Sequence, residues 1–458
     1  MSESCIEIIG GGLAGCEAAY QLGKRGIAVR LYEMRPDRKT AVHQTDRLAE
    51  LVCSNSFRSD ERDHPVGLIK REMAAFDSLI VKAARASSIP AGGALAVDRE
   101  AFSGHVMQAL ESLNAVSLIR QEVTEIPPGF SIIAAGPLCS DALAQSVHQQ
   151  LGDTGLYFYD AIAPVIEYDS LDLEVVFAQS RYGKGEGSDY LNIPLSKAQY
   201  LELHRDLVTA ERAEIKAHDS LKFFEGCLPV EVMADRGVDT LRFGPLKPVG
   251  LTDPRTDQQP YAVIQLRQDN YARSHWNLVG FQTQLKWGDQ RRILQKLPGM
   301  ANARFVRFGM IHRNTFVDST KHLLPTFQLK NHPQCMLAGQ ISGVEGYIES
   351  ASVGLMCGLN MARMIRGHAP VVFPSTTAMG SLAHYVTFQG HRELQPTNVN
   401  YGIFEPLPPG KKIKRSDRRR AYAIRALQDL LRFALASELD IDEPFLRTQL
   451  AELEPTAV

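Results

Sequence analysis

The sequence is poor in cysteine: seven in 458 residues, an odd number with no C-x-x-C pair, which argues against both a disulfide framework and a clustered zinc site. Reduced thiols and no bound metal are the expectation. Net charge is nearly absent as well, 50 Lys and Arg against 52 Asp and Glu, so the chain as a whole does not attract a polyanion. Any nucleic-acid surface has to be a local gathering of basic residues. No apolar run approaches the length of a membrane span, and the first residues (Met1-Ser-Glu-Ser-Cys-Ile-Glu) lack the basic region and apolar core of a signal peptide. A cytoplasmic protein with no membrane association is expected. There is no internal repeat or low-complexity tract. What is left, 44% hydrophobic and 22% charged residues, is an ordinary globular composition, long enough for two or three domains.

What is present starts at the N-terminus. Residues 5–33 read as a strand (5–9), a glycine turn (10–15), a helix (16–25) and a second strand (27–32), a βαβ unit. A further strand running into glycine, 130–136, follows the Pro-Pro-Gly turn at 127–129. Another lies at 335–339 and leads through Gly343 and Gly346 into an alanine- and glycine-rich helix over 350–366. Between these elements, residues 155–308 change character to short apolar segments with aromatics and turn residues, as in an inserted domain. After Pro374 come a helix, an irregular stretch rich in Pro and Asn (395–409), a basic run (411–420) and a last amphipathic helix ending at Leu439.

Gly10, Gly11, Gly12, Leu13, Ala14 and Gly15 form G-x-G-x-x-G between a strand and a helix, the context that this motif needs to hold a dinucleotide. The first glycine permits the turn and the second lets backbone approach a pyrophosphate. The third lets helix pack on strand, with free helix N–H groups aimed at the phosphates. Glu33 ends the second strand about 20 residues on, where a carboxylate accepts hydrogen bonds from an adenosine ribose. The later strand-glycine elements, ending at Gly136 and Gly339, resemble the returning strands of two-domain flavoproteins, in which the last helix N-terminus approaches the flavin. That resemblance favours FAD over NAD. The expected fold is therefore α/β, a Rossmann-type FAD-binding domain (1–137 plus 309–370) with an inserted α+β substrate or RNA domain (138–308) and a C-terminal helical segment (371–458) packed on the first.

The combined motifs are more specific. Gly10 to Gly15, Glu-Met-Arg-Pro at 33–36, Val-Cys-Ser-Asn-Ser at 52–56, Pro-Ala-Gly-Gly-Ala-Leu-Ala-Val-Asp-Arg at 90–99, Phe-Phe-Glu-Gly-Cys-Leu-Pro at 223–229, Gly-Pro-Leu-Lys-Pro-Val-Gly at 244–250, His-Arg-Asn-Thr at 312–315 and Gly-Val-Glu-Gly-Tyr at 343–347 span nearly the whole chain. Together they resemble the folate- and FAD-dependent tRNA (uracil-5-)-methyltransferase family, TrmFO. The resemblance implies methylation of uridine-54 in the tRNA T loop, with methylenetetrahydrofolate as carbon donor, reduced FAD as electron source and NADH or NADPH as reductant. It also carries Arg35, Ser54, Asn55 and Gly346 to the cofactor site. Ile193 stands where members often have a cysteine.

Uracil C5 is a poor nucleophile until something adds to C6, and a thiolate is suited to that reversible addition. The resemblance assigns this role to Cys227, and to Cys53, near the flavin, the removal of the C5 proton. A free thiol with a pKa of ~8.5 is only slightly ionised at neutral pH, and the local sequence supplies no activation: Glu225 opposes it and Lys222 favours it. A lone cysteine is ordinarily a small buried apolar residue, which is how Cys5, Cys16, Cys139, Cys335 and Cys357 read. For the folate pterin, the resemblance suggests a pocket against the flavin with an imidazole on its other side. His312 and Tyr347 are the candidates, each with core packing as its alternative.

Seven of the ten residues from 411 to 420 are basic, among them Lys411, Lys412, Lys414 and Arg415, enough to neutralise several RNA phosphates or to make a solvated helix face. Lys286, Arg291 and Arg292 form a second cluster. The target base must leave the folded T loop to react, and Phe223, Phe224 and Trp287 are available to stack on displaced bases, though core packing is the reading kept for Phe223. Gly183, Gly185 and Gly187 follow no strand and precede no apolar helix, and read as a mobile loop near the substrate entrance. Related flavin- and folate-linked proteins that modify the wobble uridine with a GTPase partner are longer and add a C-terminal helical domain. No obligatory protein partner is expected here. A ribosomal RNA uridine as target, and a non-catalytic flavin-binding RNA protein, are the other readings.

Overall fold

Ile6, Ile8 and Ile9 are buried on both faces of a strand, Ile6–Ile9, that lies inside a six-stranded sheet. In a computed structural model, which describes residues 5–40, 42–152, 156–213, 223, 228–391, 394–408, 413–414 and 417–453, the sheet order is Gln328–Leu329, His332–Leu337, Ser131–Ile133, Ile6–Ile9, Val29–Glu33, Val116–Arg120. Every pairing is parallel except that of the edge strand Gln328–Leu329. This is a Rossmann-type sheet, and the three strand-glycine elements read from the sequence are adjacent strands at its centre. Parallel strands covered on both faces carry continuous apolar runs, as Ile132, Ile133, Met336 and Leu337 do here.

Two helices reach the same end of that sheet. Leu13–Gly23 begins earlier than expected because the glycine turn itself enters the helix: the Cys16 N–H donates to the Gly12 carbonyl at 2.9 Å. Tyr347–Ile365 likewise starts ahead of residue 350, with the Ser350 N–H donating to Gly346. The two cross backbone to backbone. A Cβ at Gly354 would lie 2.2 Å from the Ala14 carbonyl oxygen, and one at Gly358 3.1 Å from Ala18 Cα. Small residues one turn apart thus bring both helix N-termini to one cleft.

A second six-stranded sheet, antiparallel throughout, runs Phe177–Ala178, Tyr190–Leu195, Ala262–Gln268, His275–Leu278, Val165–Glu167, Phe305–Arg307 and has its own core with helices Lys197–Thr209, Val230–Asp235 and Trp287–Leu294. Ile193 is fully buried there. A two-stranded ribbon, Leu156–Ala161 with Ile311–Phe316, carries the chain into this body and back. Helix Asp141–Leu151, within the stretch read as the insertion, places Leu143 and Val147 in the first core.

The basic stretch leads into helix Arg418–Ala436, and a further helix, Glu443–Leu453, follows where the sequence reading had none. It buries Leu446 and Leu453, and the Asp442 N–H donates to the Ala75 carbonyl at the end of helix Pro65–Ala75. The glycine loop 181–190 is fastened rather than loose. Asp189 Oδ2 accepts from the Gly92 N–H at 2.6 Å, Tyr190 Oη donates to Ala91, and Lys184 pairs with Glu61. Among the described residues no helix is long and apolar enough to cross a membrane.

Candidate functional site

The cleft at the converging helix ends is lined by Gly10, Gly11, Gly12, Leu13, Ala14, Glu33, Arg35, Gly136, Gly339 and Tyr347. Gly15 does not line it but lets it exist, since a Cβ there would stand 1.9 Å from the Gly10 carbonyl oxygen. Gly12 is the N-cap, extended and without a side-chain cap, and a Cβ on it would meet nothing within 4 Å. The first turn therefore offers uncapped N–H groups to open space, the arrangement that takes a pyrophosphate. Burial pushes Glu33 up, but Arg35 and two N–H groups outweigh it and hold the carboxyl below its usual range. Arg35 Nε donates to it at 2.9 Å and Nη2 at 3.1 Å, and the N–H groups of Arg35 and Gly11 donate at 3.0 and 3.1 Å. An ionised, oriented carboxylate at the strand end suits ribose hydroxyls. Arg35 also pairs with Glu50, so it orients Glu33 rather than facing solvent.

Beside this cleft stands the loop that carries Cys53. Tyr347 Oη accepts from the N–H groups of Cys53 and Ser54. Arg307 donates to the Val52 and Cys53 carbonyls at 2.9 and 3.1 Å. Arg99, itself forked onto Asp269, donates to Leu51 and to the Cys53 carbonyl. Cys53 Sγ lies 3.8 Å from the Ala161 carbonyl oxygen. Burial pushes this thiol up to about 12, the Asp160 charge adds to that, and Arg307 and Arg99 oppose it. At neutral pH it holds its proton.

Three carboxyls gather behind the loop. Asp160 and Glu345 are almost fully buried and Glu349 completely so. Burial, then the charges of Asp160 and Glu349, push Glu345 well above the usual carboxylate range, while Gln340 donates to it. Glu349 is paired with Arg58. His312 faces Asp160 across the ribbon, Nε2 to Oδ2 4.0 Å, and its Nδ1 is buried without a partner. Burial lowers the imidazole and Asp160 only partly offsets this, so the ring is neutral at pH 7. His43 lines the cleft and is driven down to about 4 by burial and by Arg35.

The remaining candidates fall elsewhere. Asn55 is fully buried and spans Val97, Gln268 and Arg267; Ser54 Oγ accepts from Arg267 at 2.6 Å. Both tie the Cys53 loop to the second sheet, and neither lines the cleft. Gly346 caps its helix at φ 109°, close to Glu349. Lys286 caps helix Trp287–Leu294 and pairs with Glu211 at 2.8 Å. Lys414 is exposed. Cys227, Phe224, Lys411, Lys412 and Arg415 lie outside the described residues. Phe223 is half-buried, edge-on to Tyr159 with ring centroids 6.5 Å apart. The sequence reading passed over Arg99, Asp160, Arg307, Glu345 and His43. Arg99 and Glu345 sit inside motifs that were recognised, but Asp160, Arg307 and His43 carry no local signal.

A family model described as GIDA, glucose inhibited division protein A, matches residues 5–369. The chain is 51% identical over 433 residues to "Methylenetetrahydrofolate--tRNA-(uracil-5-)-methyltransferase TrmFO" of Lysinibacillus sphaericus (strain C3-41), covering 94% of this chain and 99% of that one. The protein of the same name from Bacillus cytotoxicus is 51% identical over 434 residues with the same coverage. Among solved structures, Aquifex aeolicus GidA in its form I crystal superposes with a TM-score of 0.71 at 16% identity, covering 98% of this chain and 78% of that chain, a likeness of fold.

Proposed function

The chain belongs to the GIDA family and, within it, to the TrmFO group, and on that premise we propose that it methylates carbon 5 of a uridine in tRNA, uridine-54 of the T loop, with methylenetetrahydrofolate as carbon donor and FAD as cofactor. The observation that carries the reading is the Cys53 loop: a cysteine gripped from three sides at the edge of a dinucleotide cleft, with Tyr347 belonging to both. A core cysteine needs no such fixture.

The residues present fit the groups this reading requires. Gly10 to Ala14 and Glu33 would hold the pyrophosphate and ribose of FAD, and the open space at Gly12 is what a phosphate needs. Reduced FAD supplies the hydride that turns a transferred methylene into a methyl group, and NADH or NADPH is the proposed source of its electrons. For the folate, neutral His312 offers a flat ring and one unpartnered nitrogen. Cys227 is the proposed C6 nucleophile. The described residues that flank it are anchored, Phe223 on Tyr159 and Val230 by an N–H bond to Gln282. Cys53, as the group that takes the C5 proton, must first ionise. Arg307 and Arg99 favour its thiolate, and a charged Asp160 opposes it.

The test is to incubate the purified protein with unmodified tRNA transcript, methylenetetrahydrofolate labelled in its methylene, FAD and NADPH, then digest the RNA. Labelled 5-methyluridine at position 54 is expected. No label in tRNA but label in ribosomal RNA moves the target, and no label in either leaves an RNA-binding flavoprotein.

A further inference from the structure

Resting on the RNA reading above, we propose that Trp287 is a stacking platform for an unpaired base of the RNA loop, held ready by a column of aromatic rings built onto the strand that grips the Cys53 loop. Trp287 is 59% exposed, at odds with the burial such a ring normally finds. Its ring lies on Phe308, centroids 5.7 Å apart and planes 17° from parallel, and Phe308 lies on Phe305 at 4.7 Å and 19°. Three near-parallel rings thus end in an indole with its outer face in solvent. Arg291, with no carboxylate partner among the described residues, sits 5.5 Å from the Phe308 centroid, so the column carries a cation as well as π faces. The other tryptophan also lies on a ring, Tyr168, but offers no face to solvent: Trp276 is 5% exposed and its indole N–H is bonded to the Arg273 carbonyl.

The column is rigid before any RNA arrives. Gln290, on the helix that begins with Trp287, donates to the Gly309 carbonyl at 2.9 Å and accepts from the Gly309 N–H at 2.8 Å, locking that helix to the residue beside Phe308. Its position also fits. Arg307, between Phe305 and Phe308 in the chain, is the residue that holds the Val52 and Cys53 carbonyls, so the segment that carries two of the rings also reaches the loop that is to meet the target base. Bases stack on such a ring whatever their identity, and the flipping of one uridine leaves its neighbours unstacked. Lys286 is paired with Glu211 and Arg292 with Asp289, so Arg291 is the cation of this segment that is left to meet an adjoining phosphate.

The experiment measures binding of an unmodified tRNA transcript to wild type, Trp287→Ala and Trp287→Phe, each verified as folded by its thermal melt. The wild-type indole emission supplies a second readout, because Trp276 is shielded. We expect Trp287→Ala to weaken binding about tenfold, Trp287→Phe to recover most of it, and the T-arm hairpin to quench emission more than a duplex of equal length. A folded Trp287→Ala that binds like wild type, a Trp287→Phe as weak as Ala, or equal quenching by duplex and hairpin overturns the platform while leaving the methyltransferase reading intact. Failure of wild type to bind either tRNA or ribosomal RNA overturns both.

Discussion

Tyr347 Oη accepts hydrogen bonds from the N–H groups of Cys53 and Ser54, at 2.8 and 3.1 Å, across 294 residues of sequence. Tyr347 is also the first residue of the long helix whose N-terminus faces the dinucleotide cleft. One hydroxyl therefore ties the thiol loop to the cofactor cradle.

Removing that hydroxyl leaves two partly buried N–H groups unpaired. Tyr347→Phe is expected to lower stability by about 1–3 kcal/mol and to cost turnover more than flavin affinity. Thermal melts, flavin titration and single-turnover methylation separate the effects. A loss of flavin binding with turnover per bound flavin unchanged would contradict this division of roles.

Two glycines of the same motif are expected to behave differently. Gly15→Ala puts a methyl group onto the Gly10 carbonyl and should not fold, whereas Gly12→Ala meets no atom of the chain and should fold with its dinucleotide site blocked. Melting of the apoproteins and flavin content after purification give the comparison.

Arg35 and Glu33 are a buried pair, their side chains 2% and 7% exposed. Arg35→Ala leaves a carboxylate in the interior without its counter-ion, and a loss of about 3–5 kcal/mol is expected in chemical denaturation, together with weaker flavin binding. Stability equal to wild type would show that Glu33 takes up a proton at no cost.

Asp160 raises the Cys53 thiol, so Asp160→Asn should make it more acidic. Iodoacetamide labelling of the Cys53 peptide at about pH 8 is then expected to speed up, about tenfold for each unit that the pKa falls, as read by mass spectrometry. An unchanged rate would assign the high value to burial alone.

Glu72 is fully buried beneath the start of helix Ala378–Thr387, accepting from the N–H groups of Ala378 and Met379, and burial pushes its carboxyl up from 4.5 to about 7. The folded protein then keeps a proton that the unfolded chain releases at lower pH. Its contribution to stability is complete below the unfolded value and declines as pH rises from about 4.5 to about 7. In urea denaturation across that window, Glu72→Gln should remove this part of the decline.

The parallel sheet was readable because its signals are local. A strand, a glycine turn and a helix follow one another within residues 5–33, and two later strands, Ser131–Ile133 and His332–Leu337, run into glycines of their own, Gly136 and Gly339. The helix starts shifted by a few residues, since the N–H groups that open a helix are indistinguishable in sequence from those of the turn before it. Glu443–Leu453 does carry Leu446, Leu450 and Leu453 at helical spacing, but the stripe is short, and what it packs on, helix Pro65–Ala75 among others, lies far away in the chain.

The sequence by itself determined the dinucleotide cradle, since strand, glycines and Glu33 do their work within one continuous segment, and it determined the family, since the motifs are strings. Only the tertiary structure decided what surrounds Cys53. Asp160, Arg307, Arg99, Tyr347 and Glu345 come from separate strands, loops and helices, and a thiol's acidity depends on charge and burial in space rather than on the residues next to it in the chain. The same holds for Trp287, whose sequence neighbours say nothing of the two rings beneath it.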